Sequence, residues 1–284
     1  YAILNASISG QRMGRAFSTH NFCGQMGTAC APLVMVFLAT LFDWRIAMIL
    51  AGLFGLLVVA ALSTQWGSLQ DDSLRSSDRQ GADQPAESGL KQGMALLFSP
   101  AMLVFFLFFV MISMTQNGIQ SFSTVAMVSL HGTATAVASA ALSAYLFSLG
   151  AGVLIGGELA DRFGRHNLMA ALVFVLSGSL ALVLALANLD EIALFAAMLL
   201  MGLGQGIIRP ARDMMLRAAA PKGSTGKVFG YVSAGIAAGG ALAPIPFGYL
   251  LDQGQPQWIF FLIAIMMGVA LLTVTLQARL GRKP

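Results

Sequence analysis

The sequence predicts an all-α membrane protein of about eight transmembrane helices, on three observations. Hydrophobic residues make up 57% of the chain and charged residues only 10%, against about 25% charged in an average soluble domain. The apolar residues fall in runs long enough to cross a bilayer. Nearly all Lys and Arg fall on one side of the resulting thread. A water-soluble fold of 284 residues would need a polar shell that this composition does not supply.

A helix crosses the hydrocarbon core with about 20 mostly apolar residues. The runs without Asp, Glu, Lys or Arg are Ala16–Phe42, Ile46–Gln70, Gln92–Gly157, His166–Leu189, Ile192–Ile208, Val228–Leu251 and Gln253–Ala278. The third is long enough for two crossings, with His131-Gly132 in a turn at Ser129–Thr135. Each of the eight must be helical, because lipid cannot satisfy an exposed backbone amide. Threading the chain through them puts every Lys and Arg except Arg45 on one side. That side is expected to be cytoplasmic and to hold the C-terminus, in the cell (cytoplasmic or inner) membrane. Asp43–Arg45, Ser129–Thr135, Asp190-Glu191 and Asp252–Gln257 face outward. Arg209, Arg212 and Arg217 fall after the run ending at Ile208, in a connecting segment.

Gly67–Lys91 is the one long hydrophilic stretch, mixing Asp, Glu, Arg and Lys with Gly, Ser and Gln. That composition reads as a solvated linker. The predicted organisation is residues 1–66 as the end of one helical half, 67–96 as a cytoplasmic linker, and 97–284 as a six-helix half. Tyr1–Gly10 reads as the end of a span already under way. Equal halves would make twelve spans, with nearly four preceding Tyr1.

An offset of 212 residues lays Gly14-Arg15-Ala16-Phe17 on Gly226-Lys227-Val228-Phe229. Gly27, Ala29, Ala31 and Pro32 then lie on Gly239, Ala241, Ala243 and Pro244. Both copies start on the basic side, so the repeat is parallel, as in folds whose halves are related by an axis along the membrane normal. Gly27, Pro32, Gly239 and Pro244 are the expected packing and bending positions.

Several chemistries find no support. Cys23 and Cys30 are seven residues apart, about 10 Å along a helix, too far for a disulfide. No His, Cys, Asp or Glu cluster has metal-ligand spacing, and no cofactor is expected. Lys222–Lys227 resembles a phosphate loop, but Pro221 replaces the first glycine and Val228 the Ser or Thr that would meet magnesium. No nucleophile has a visible partner, so an enzyme is not expected, nor is a nucleic-acid partner.

Between two spans on the basic side stands Gly157-Glu158-Leu159-Ala160-Asp161-Arg162-Phe163-Gly164-Arg165-His166. It resembles the signature loop G-x-L-A-D-R-x-G-R-[RK] of the major facilitator superfamily, departing only at His166. The resemblance implies helices 5–12 of a twelve-helix fold and secondary transport of a small organic solute by alternating access. It also implies a conformational switch built from Gly157, Asp161, Arg162, Gly164 and Arg165, with Asp161 meeting the start of the helix near Gly14–Ser18. Gly27-x-x-x-Ala31-Pro32 resembles the G-x-x-x-G-P element of proton-linked drug exporters, departing at Ala31 and lacking glycines at Met35 and Val36. Drug or metabolite efflux coupled to protons is therefore the leading expectation. Uptake of a carboxylate or similar nutrient, or a non-transporting receptor on the same fold, are the alternatives. The chain is expected to act as a monomer.

Polar residues inside spans are costly and usually face a cavity or a neighbouring helix. Ser18, Asn21, Gln25 and Thr28 form one helical stripe. Ser113, Gln116, Asn117, Gln120, Ser121 and Thr124 form another, where Gly118 is expected to interrupt the helix. Ser143 and Tyr145, Gln205, and Tyr231 follow on later spans. The candidate substrate path is thus Asn21, Gln25, Gln116, Asn117, Gln120, Ser121, Ser143, Tyr145, Gln205 and Tyr231. No charged residue is expected at mid-membrane depth, so a coupling acid would belong to the preceding helices.

Overall fold

The computed structural model describes residues 13–64, 98–219 and 225–280. The linker at 67–96, the segment Tyr1–Gly10 and residues 222–224 of the Lys222–Lys227 loop lie outside them. The described residues form nine helices: α1 Met13–Leu41, α2 Trp44–Thr64, α3 Pro100–His131, α4 Thr135–Phe163, α5 His166–Leu186, α6 Glu191–Ala219, α7 Thr225–Leu242, α8 Pro244–Asp252 and α9 Gln257–Leu280. Among the described residues, seven spans are long and apolar enough to cross a membrane, α7 and α8 together making one. Helix α1, with 29 residues, is of spanning length as well.

The turns sit where the polar breaks fall. Ser99 caps α3, its side chain accepting from the Met102 amide, and Pro100 opens the first turn, where a missing N–H costs nothing. Gly132 ends α3 in the left-handed region at φ 66°, and Gly164 ends α4 at φ 59°, a conformation glycine enters without steric penalty.

Helices α3–α9 pack as one bundle. One core cluster surrounds Tyr145, Leu149, Met198, Phe247 and Phe260. A second surrounds Phe108, Phe109, Phe174, Leu216 and Val228. The tightest contact joins α4 and α6 backbone to backbone. A Cβ on Gly152 would run into the Leu203 carbonyl, on Gly156 into Ile207, on Gly202 into Tyr145 and on Gly206 into Leu149. Small residues at this spacing let helices approach closely in lipid, where association rests on packing and hydrogen bonds. The Ser148 hydroxyl adds a bond to the Leu199 carbonyl at 2.7 Å. Helices α3 and α7 meet similarly: Gly239 lies against the Val110 backbone, and Ser113 Oγ donates to the Ile236 carbonyl at 2.6 Å.

Three expectations change. Helix α3 runs unbroken through Gly118. That glycine admits the Phe247 ring, which any Cβ there would strike, and Phe247 stacks on Phe122 at 5.6 Å. Helix α6 does not stop at Ile208 but continues through Arg209, Pro210, Arg212 and Asp213 to Ala219. The two prolines of the repeat also behave differently. Pro244 starts a new helix after Ala243, whereas α1 continues through Pro32, whose side chain lies outside the described residues.

Candidate functional site

The signature loop lies at the end of α4 and docks on the first turns of α1. The backbone amide of Arg15 donates to Asp161 Oδ2 at 3.0 Å. A helix start carries unsatisfied N–H groups and partial positive charge, so a carboxylate there is favoured by about 0.3–2 kcal/mol. Glu158, one turn back on the same face, bridges Arg15 at 2.6 Å and Arg162 at 2.7 Å. Sequence reading placed the Asp161 contact at Gly14–Ser18. It did not single out Glu158, although Glu158 and Arg162 are spaced for an i,i+4 pair. Gly157 is buried within α4, and Gly164 supplies the loop's positive-φ turn. Arg165 precedes α5 and is exposed.

Further along α1, Phe17 is fully buried, its ring 6.3 Å from that of Phe229 on α7. These are equivalent positions of the 212-residue repeat. Equivalent residues meet each other only near an axis relating two copies, as in any self-complementary two-fold contact.

One turn deeper, α1 and α6 run antiparallel and exchange two hydrogen bonds. Asn21 Nδ2 donates to Asp213 Oδ2 at 2.9 Å, and Arg209 Nη1 donates to Gln25 Oε1 at 2.9 Å. Asp213 is 2% exposed and Arg212 9%. Arg212 Nε holds the other carboxylate oxygen at 3.1 Å, with its guanidinium 4.8 Å from the Phe109 ring centroid. Buried charge in a membrane protein is costly unless paired, and here each charged group has a bonded neighbour. Asp213 lies about 33 Å along the axis from Glu191, close to the far boundary of a core about 30 Å thick.

This cluster is what sequence reading missed. A search for charge-free runs stops at Arg209 and assigns everything beyond it to a loop. The available signal was the spacing of Arg209 and Asp213, four residues apart on one helical face, matching Asn21 and Gln25 on α1.

The remaining path candidates scatter. Gln116, Asn117 and Tyr231 are half-buried, and Gln120, Ser121 and Ser143 are exposed. Asn117 bonds back to the Ser113 carbonyl, Ser143 to Ser139, and Tyr231 packs on Phe106. Tyr145 and Gln205 sit inside the bundle at 0% and 1% exposure, and Gln205 Nε2 approaches Met267 Sδ at 3.3 Å. Of the bending positions, Gly239 is pressed against α3 and Gly27 meets nothing within 4 Å.

The contact of Asp161 with the start of α1 is the one the sequence resemblance implied, and the meeting of the repeat-equivalent phenylalanines adds to it. The profile of the Major Facilitator Superfamily matches residues 1–136 and 106–283. This chain belongs to the Major Facilitator Superfamily. Over 139 residues it is 31% identical to the puromycin resistance protein pur8 of Streptomyces alboniger, covering 49% of this chain and 27% of that protein. Over 131 residues it is 30% identical to the methylenomycin A resistance protein of Bacillus subtilis (strain 168), covering 45% of this chain and 27% of the relative. The superfamily chain is thus a multi-pass, all-helical transporter-family protein that aligns with just over a quarter of either relative's length.

Proposed function

We propose that this protein exports a small organic compound across the cytoplasmic membrane by alternating access, driven by protons. The observation that carries the reading is the docking of Asp161 on the Arg15 amide. It joins the signature loop of one helical half to α1 of the other, at the basic and therefore cytoplasmic end. Such a contact closes one end of a central path and must be released to open it. Likeness to two proteins named for antibiotic resistance favours export over uptake. The half-buried and exposed polar groups Gln116, Asn117, Gln120 and Ser121 on α3 supply a neutral, hydrogen-bonding face for the cargo.

The latch alone is too small to drive the cycle. Inverting a 1:99 equilibrium takes about 5.5 kcal/mol, well above what one carboxylate at a helix start provides. Cargo and proton binding supply the rest.

The test is flux in proteoliposomes of the full-length protein, with a panel of hydrophobic cationic and neutral antibiotics and an imposed pH gradient. Gradient-dependent accumulation of at least one compound, lost on collapsing the gradient, is expected. Flux that ignores the gradient would remove proton coupling. Binding with no flux for any compound would favour a receptor.

A further inference from the structure

We infer that Asn21–Asp213 and Gln25–Arg209 form a gating clasp between α1 and α6, separate from the signature-loop latch, in which a neutral amide meets each charge so that both rungs can part in every cycle. This rests on the alternating-access reading above.

The two rungs obey one register. Residues 21 and 25 are one turn apart on α1, residues 213 and 209 one turn apart on α6, and antiparallel helices bring them together in that order, each at 2.9 Å. Helix α6 therefore presents a carboxylate and a guanidinium on successive turns toward the same neighbour. The carboxylate is fixed from behind: Arg212 holds its second oxygen and is itself seated over Phe109 of α3. Asp213 is thus a preset acceptor belonging to the bundle, and Asn21 is the movable donor.

The choice of amides matters. Bonds to a charged group exceed neutral ones, and full ion pairs with good geometry, once buried, are costly to break because each partner is left uncompensated. Asn and Gln keep the contact directional while leaving no charge on α1 when it withdraws. Around the rungs, α1 packs on α4 through the side chains of Phe22 and Met26. A Cβ on Gly150 would meet Met26 and Phe22 at ordinary distances of 3.8 and 3.9 Å, unlike the backbone contact between α4 and α6.

Substituted charges on α1 should therefore act with opposite sign at the two rungs. Asn21→Lys and Gln25→Glu would face an opposite charge and hold the cytoplasmic end shut. Asn21→Asp and Gln25→Lys would face a like charge and open it. The reporter is a cysteine at Ser143, an exposed position of α4 outward of the clasp, in full-length protein whose other cysteines are serine. The readout is its rate of labelling by a membrane-impermeant maleimide from the cytoplasmic side of inside-out vesicles.

The first pair should slow labelling, and the second speed it, each by at least about fivefold, the scale of one charge-assisted contact in a two-state equilibrium. Four variants allow the pattern to be read even if one fails to fold. An effect that follows only the sign of the added charge, or only the position, would overturn the clasp, as would four unchanged rates. Parent protein never labelled from the cytoplasmic side would instead overturn alternating access and the clasp with it.

Discussion

Helix α4 makes two contacts of opposite character along its length. Toward α6 it is locked through backbone: Gly152, Gly156, Gly202 and Gly206 each leave no room for a methyl group. Toward α1 the described contacts are Asp161 on the Arg15 amide, Glu158 on the Arg15 guanidinium, and ordinary packing of Gly150 against Met26 and Phe22. The first contact gains from dense packing that any displacement would forfeit at once. The second combines directional bonds at the helix start, which can be exchanged for bonds to water, with side-chain packing of Phe22 and Met26 at ordinary distances. In the proposed cycle, the bundle moves as a unit and the α1 contact separates.

The largest break in that comparison should come from Gly206→Val. The new side chain would collide with the Leu149 carbonyl and the Gly152 backbone, where nothing flexible can yield. We expect loss of folded protein, measured as monodisperse yield in detergent. Gly27→Ala, with nothing within 4 Å, and Gly150→Ala should fold normally. A well-folded Gly206→Val would remove the claim that α4 and α6 are locked.

A middle-sized effect belongs to Asp161→Asn. The amide still accepts a bond from Arg15 N–H but loses the charge at the helix start, so transport should fall about three- to tenfold, within the range of a helix-terminus interaction. Yield and thermal stability should not change. Wild-type flux in proteoliposomes would remove Asp161 from the switch. The smallest effect should come from Arg15→Ala. Its ion pair with Glu158 involves a side chain 58% exposed, where such pairs contribute little, and the bond to Asp161 comes from the backbone and survives. Transport should change by less than about twofold, and raising the salt concentration should erase the difference.

Much of the fold was legible because lipid leaves few alternatives. The charge-free runs locate the spans, and Gly132 and Gly164 mark two turns by their demand for positive φ. The signature loop was legible as a motif, and the fold's repeat pointed Asp161 at the start of α1. What escaped depends on neighbours the sequence does not name. Gly118 looks like a bend and is a niche for Phe247. Arg209 and Asp213 look like loop residues, yet they lie in a helix because Asn21, Gln25 and Arg212 satisfy them. Tyr145 and Gln205 read as path-lining positions, but inter-helix packing decides that they are enclosed. Pro32 and Pro244 occupy equivalent places in the repeat, and only the second ends a helix.

The account turns on whether the α1 contact parts while the bundle stays whole. The direct measurement compares two cysteine pairs in full-length protein, each bridged by a short bifunctional thiol reagent that a reductant cleaves. Phe17→Cys with Phe229→Cys bridges α1 to α7 where the rings are 6.3 Å apart, and Phe108→Cys with Phe174→Cys bridges α3 to α5 inside the bundle at 5.8 Å. Bridging the first pair should stop transport and cleavage should restore it, whereas bridging the second should leave the rate unchanged. Undiminished transport while the α1–α7 pair stays bridged would contradict the account.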